Sequence, residues 1–107
     1  MNKLGKMVLT VSLIFLLANQ SWALEKVKVQ LVWVKQCEFH GILNAVDKGF
    51  YAEEGLDVEV IAGGPDIKTQ MVVASGAAEF GTLAPAGVIA ARSNEVPLVA
   101  VMQEHQD

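Results

Sequence analysis

Only a few residues have side chains and spacings that could do chemistry. Trp33 offers a flat aromatic face and one N–H, so it could stack on a planar ligand and donate to it. It could equally be a core residue, because the chain around it is apolar on both faces. Gly63-Gly64-Pro65-Asp66 is a tight turn leading into a helix. There Asp66 and nearby N–H groups either meet a ligand or Asp66 caps the helix. No Gly-Lys-Ser/Thr follows the glycine pair, so this is not a phosphate-cradling loop. Cys37, Glu38 and His40 bring three donor types together, with His105 as a further histidine. Zinc sites show paired ligands at defined spacings, and neither a second cysteine nor a second histidine lies nearby, so no metal is expected. A Cys37–His40 nucleophile is equally poorly supported, since such pairs are assembled by the fold and not by a three-residue spacing. Ser75 stands in Ala-Ser-Gly and makes no nucleophile elbow; it is expected to cap or end a helix. Glu53-Glu54 reads as a solvated turn, and no carboxylate pair suits acid–base work. These residues offer a binding surface without a catalytic constellation, and no cofactor is expected.

The elements that would position them alternate. Val27 to Val34 begins as strict apolar/polar alternation and ends apolar throughout, which predicts a strand buried on both faces at its far end. Lys35 to His40 reads as a loop. Phe39, Ile42, Leu43, Val46 and Phe50 fall at helical spacing, and Gly49 ends that helix. Leu56 to Ile61 alternates as a second strand. Pro65 and Asp66 are suited to opening a second helix, striped by Ile67, Met71, Val72 and Ala74 and stopped by Ser75-Gly76. Ala78 to Leu83 predicts a third strand. Pro85 starts a third helix running to about Asn94, and Pro97 to Met102 predicts a fourth strand. The order is β-α-β-α-β-α-β. It implies an α/β fold with a parallel sheet, right-handed crossovers and helices on both faces. Ligands of such sheets bind at the carboxyl ends of the strands, here after Val34, Ile61, Thr82 and Met102. Small residues there let a ligand approach the backbone.

The N-terminus sets the expected compartment. Lys3 and Lys6 precede an uncharged apolar run from Met7 to Ala18, and Ser21-Trp22-Ala23 supplies small residues where a signal peptidase reads. The run is about a dozen residues, against the roughly 20 that span a bilayer. Residues 1–23 are therefore expected to be a signal peptide cleaved after Ala23. Removing 23 of 107 residues leaves 84, as one partial domain from Leu24 to Asp107. Two lysines leave with it, so the formal charge moves from −4 to −6. An acidic, exported chain is a poor partner for nucleic acid. Cys37 is the single cysteine, so it is either buried or awaiting an external partner.

Several runs carry a family resemblance. They are Leu31-Val32-Trp33 with Phe39-His40-Gly41; the long run Asp47 to Val58 containing Lys48-Gly49-Phe50-Tyr51 and Glu53-Glu54-Gly55-Leu56-Asp57-Val58; Gly63-Gly64-Pro65-Asp66; Val72 to Gly81; and Ala90-Ala91-Arg92 with Pro97-Leu98-Val99. Together they span nearly all of Val27 to Gln106. This stretch resembles the N-terminal part of the periplasmic substrate-binding proteins of ABC importers, in the branch associated with sulfonates, nitrate and thiamine-pyrimidine precursors. The resemblance implies the first part of lobe I of a two-lobed (type II) binding protein that hinges shut on a small molecule and docks on a membrane permease. It implies no enzyme activity and a periplasmic location. Carried over, Trp33 would be a stacking platform for a pyrimidine or similar heteroaromatic. Phe39, His40, Gly64 and Asp66 would line the cleft, with Gly81, Thr82 and Leu83 as its floor. Sulfonate or nitrate binding, a nonfunctional remnant, or a pyrimidine-precursor synthase of the same fold are the alternatives. The synthase needs a cysteine cluster and cytosolic residence. Two features depart from the family pattern. Cys37 and Glu38 stand where relatives carry small or amide residues, and a two-lobed fold takes roughly three hundred residues, so a truncated protein lacking hinge and second lobe is expected.

Overall fold

The computed structural model describes residues 2–5 and 22–104. The apolar run from Met7 to Ala18 and His105 lie outside the described residues, and among those described no helix is long and apolar enough to cross a membrane.

Three parallel strands make one sheet in the order β2-β1-β3. They are β1 (Glu25–Gln30), β2 (Leu56–Ile61) and β3 (Phe80–Gly81). In register, Val27 and Val29 lie beside Val58 and Val60, while Lys26 and Lys28 lie beside Asp57 and Glu59. Neighbours in register share a face, so the valines are half-buried together and the charged residues are exposed together. Between β1 and β2 run α1 (His40–Asp47), entered through a 3-10 turn over Cys37–Phe39, and α2 (Phe50–Glu53); α3 (Thr69–Ala74) joins β2 to β3, and α4 (Pro85–Ser93) follows β3. Gly49 separates α1 from α2 at φ 76°, a left-handed turn that favours glycine. Pro85 sits in the first turn of α4, where its missing N–H costs nothing. This is the α/β, parallel-sheet class expected, consistent with the N-terminal part of a binding-protein lobe.

Four boundaries differ from expectation. The β1 ladder stops at Gln30, four residues before Val34, and residues 32–35 bend. The cause is competition for polar groups: the Val32 N–H donates to the Thr82 hydroxyl at 2.9 Å, and the Leu31 carbonyl accepts from the Thr69 hydroxyl at 3.3 Å. Second, β3 is confined to Phe80–Gly81, although N–H groups of Glu79 and Thr82 still bond to Lys28 and Gln30. Third, α3 begins at Thr69, not at Pro65. Pro65 and Asp66 form a turn closed by the Ile67 N–H on the Gly64 carbonyl at 3.1 Å, so Asp66 caps no helix. Fourth, the strand expected over Pro97–Met102 pairs with nothing among the described residues. Val99 and Val101 remain more than 70 % exposed. The short β3 presents too little ladder for that segment to join.

Burial is concentrated at the carboxyl end of β1. Leu31 is fully buried, and Gln30 and Thr69 are nearly so. At the sheet's other end, Glu79 ties β3 to β1: its carboxylate accepts from the Lys28 N–H at 2.6 Å. That bond, then one from its own N–H, hold the carboxyl below the ordinary glutamate range; desolvation pushes upward by less, and the nearby Lys28 charge adds a still smaller downward pull. The unfolded state then binds more protons than the folded one, so stability rises with pH through this window. The contribution is fully present above the ordinary glutamate range and disappears as pH falls through the depressed value. In a Tm-against-pH series, Glu79→Gln should flatten the acid limb. An acid limb unchanged from wild type would contradict this.

Candidate functional site

Because the strands are parallel, their carboxyl ends open on one edge, and the exits of β1, β2 and β3 are bonded to one another there. The Gln30 side-chain amide donates to the carbonyls of Leu31 at 3.0 Å and Ala62 at 3.2 Å, with Ile61 longer at 3.4 Å. Gly63 N–H donates to the Trp33 carbonyl at 2.9 Å, and Thr82 N–H donates to the Gln30 carbonyl at 2.9 Å. Gly63 is packed so closely that a Cβ there would overlap the Leu31 carbonyl oxygen and lie 2.7 Å from the Val32 carbonyl carbon. The β2 exit therefore lies directly against the backbone that leads to Trp33.

The expected site residues fall into separate groups. Trp33 stands on this junction and is 42 % exposed, so it is a rim residue and not a core one. Gly64 adjoins the clamped Gly63 and is half-buried. Thr82 belongs to the same junction, its hydroxyl accepting from Val32. Asp66 is exposed on its turn. Phe39 is buried at 5 % exposure. His40 is exposed, and its Nδ1 donates to the Cys37 carbonyl at 2.7 Å; a carbonyl only accepts, so Nδ1 carries the proton. Gly81 and Leu83 instead line a cleft of about 320 Å³ between β3 and residues 97–102, with Val73, Val88, Val99 and Met102. Trp33, Gly64 and Asp66 do not line it. On its sheet face Gly81 admits α3: a Cβ would lie 2.5 Å from Thr69 Cγ2.

The remaining chemistry candidates have structural placements. Cys37 is free and exposed. The Ser75 hydroxyl donates to the Val72 carbonyl at 2.9 Å and so ends α3, as expected. Among the described residues, no group of three or more His, Cys, Asp and Glu side chains could hold a metal ion. The residues that sequence reasoning passed over are Gln30 and Thr69, whose groups assemble the rim together with Gly63 of the turn already singled out. The sequence carries no signal for Gln30: the alternation puts it in step with Lys26 and Lys28, which are exposed, whereas Gln30 is buried.

Residues 36–107 match the family model described as NMT1/THI5 like. The chain is also 34% identical over 84 residues to a formylaminopyrimidine-binding protein of Halalkalibacterium halodurans. That alignment covers 78% of this chain and 26% of the relative, so the chain spans about a quarter of that protein's length. A family match over residues 36–107, on a parallel α/β sheet whose strand exits are bound into one rim, places the chain in the NMT1/THI5-like family.

Proposed function

We propose that this chain forms the first part of the ligand-binding lobe of an extracytoplasmic solute-binding protein, and that its ligand is a formylaminopyrimidine or a similar small, flat heteroaromatic. The observation that carries the reading is the half-open indole of Trp33, fixed by its own backbone at the junction of the strand exits. Its placement suits a stacking platform. The likeness to a formylaminopyrimidine-binding protein supports the choice of ligand. That relative is a binding protein, which favours binding over catalysis here.

On this reading the protein acts outside the cytoplasm, after removal of residues 1–23, and delivers its ligand to an ABC permease. A second lobe closes the cleft by a hinge. Asp66, His40 and Gly64 contribute polar contacts around the stacked ring. Thr82 lies beneath the ring at the strand junction and Phe39 is buried at the entry to α1, while Gly81 and Leu83 line the neighbouring cleft.

The test is calorimetric titration of the whole protein with a formylaminopyrimidine and, separately, with a sulfonate. Wild type should bind the pyrimidine. Trp33→Ala should weaken it by roughly 1–3 kcal/mol, the worth of one aromatic stacking partner, while leaving the Tm nearly unchanged because the indole is partly exposed. Trp33→Phe should retain most of the affinity. Binding of the sulfonate with no response to the pyrimidine would overturn the ligand choice. Unchanged affinity in Trp33→Ala would remove Trp33 from the site.

A further inference from the structure

We infer that Gln30 is the positioning residue of the rim: its buried amide sets where Trp33 stands and thereby the affinity for ligand. This rests on the ligand-binding reading of Trp33 above.

The argument begins from cost. Gln30 is 4 % exposed and follows two half-buried valines, Val27 and Val29, in β1. A buried amide must be hydrogen-bonded or it destabilises the fold. An apolar side chain of similar size would fill the same space without that demand. What the amide adds is direction. Its two hydrogens face carbonyls of two different chain exits, Leu31 after β1 and Ala62 after β2, with Ile61 sharing at longer range. It therefore fastens the β1 exit to the β2 exit one residue after each ladder ends.

Two further clamps act on the same short segment. Thr69 at the start of α3 donates to the Leu31 carbonyl, and Thr82 beyond β3 accepts from the Val32 N–H. Residues 31 and 32 are thus held from three sides by side chains, immediately before Trp33. The close approach of Gly63 is independent support, since the two exits can touch there only without a Cβ. Fully satisfied buried networks of this kind specify one geometry, and a binding side chain is most effective when its backbone is held rigid. Without the Gln30 amide, the Ala62 carbonyl loses that donor and the Leu31 carbonyl keeps only the longer bond from Thr69, the 32–35 bend loosens, and the indole leaves the place where a ring would meet it.

The experiment uses the whole protein after removal of residues 1–23; Trp22 leaves with that segment, so Trp33 is the remaining one of the two tryptophans in this sequence. Gln30→Met keeps length and volume and removes the donors. Leu56→Ala, at the far end of β2, serves as a variant that destabilises without touching the rim. Circular dichroism identifies the temperature range in which each is folded. Within it, Gln30→Met should raise acrylamide quenching of Trp33, shift its emission, and weaken the Kd for a formylaminopyrimidine about tenfold, comparable to one lost hydrogen bond. Leu56→Ala should leave the quenching, the emission and the Kd at the parent values. A folded Gln30→Met with parental quenching and Kd would overturn the proposal. If Gln30→Met does not fold, Thr69→Val and Thr82→Val each remove one clamp, and parental quenching in both would overturn it equally. A parent that binds no pyrimidine contradicts the proposed function instead, and the quenching comparison still decides whether Gln30 holds Trp33.

Discussion

Gly63→Ala will destabilise the fold by about 3 kcal/mol or more, the upper end of the cost of forcing a methyl group into a packed site. The usual escape from overpacking is rotation of a neighbouring side chain. Here the obstacles are backbone atoms: the Leu31 carbonyl oxygen, the Val32 carbonyl carbon and the Trp33 nitrogen. Relief requires the β2 exit to withdraw, which breaks the Gly63 N–H bond to the Trp33 carbonyl and strains the Gln30 contact with Ala62. The melting temperature should fall by more than about 10 °C. Its neighbour is the control. Around Gly64 a Cβ meets nothing within 4 Å, so Gly64→Ala should stay within about 0.5 kcal/mol of wild type. Thermal melts of the two variants side by side test the claim. Equal melting temperatures would show that the two loops are not in contact.

The second large effect is expected at Leu31. It is the one large side chain that is fully buried among the described residues, and it occupies the point where β1 leaves the sheet. Leu31→Ala should cost about 2–5 kcal/mol, the range for emptying a packed leucine site. In a domain with few buried side chains this is a large fraction of a total stability of roughly 5–15 kcal/mol. Urea denaturation should show the midpoint moving down strongly with the slope retained. Val99→Ala, by contrast, removes methyl groups from a residue 79 % exposed and should change the midpoint little. A Leu31→Ala midpoint as mild as that of Val99→Ala would mean that the core lies elsewhere.

The parts of this structure visible in the sequence are those governed by local rules. Alternation in Val27–Val29 and Leu56–Val60 marks β1 and β2, because one sheet face is polar and the other is not. Pro85 and Gly49 mark helix ends because each meets a backbone requirement of its own position. The misplaced boundaries have non-local causes. Leu31 to Val34 looks like strand to any periodicity argument, yet the Leu31 carbonyl and the Val32 N–H bond to the side chains of Thr69 and Thr82, far along the chain. Pro65-Asp66 looks like a helix start, but the turn closed by Gly64 and Ile67 delays α3 to Thr69. Pro97–Met102 has the composition of a buried strand, and composition does not supply a neighbour to pair with. At the site, Trp33 was legible because aromatic residues at strand ends are conspicuous. Gln30 was not, because its role depends on which two carbonyls lie within reach.

The sheet order has a consequence for how the chain comes to be folded. Its middle strand is its earliest, and the partners of β1 lie 31 residues downstream at Leu56 and 51 downstream at Phe80. Among the described residues no strand pair can close as a local hairpin, so the emerging polypeptide gains little from early pairing and must wait for distant segments. Synthesis reaches Gly81 before the central strand has both edges occupied. Through that interval the central strand keeps an open edge, which a second nascent copy could join before the sheet is complete.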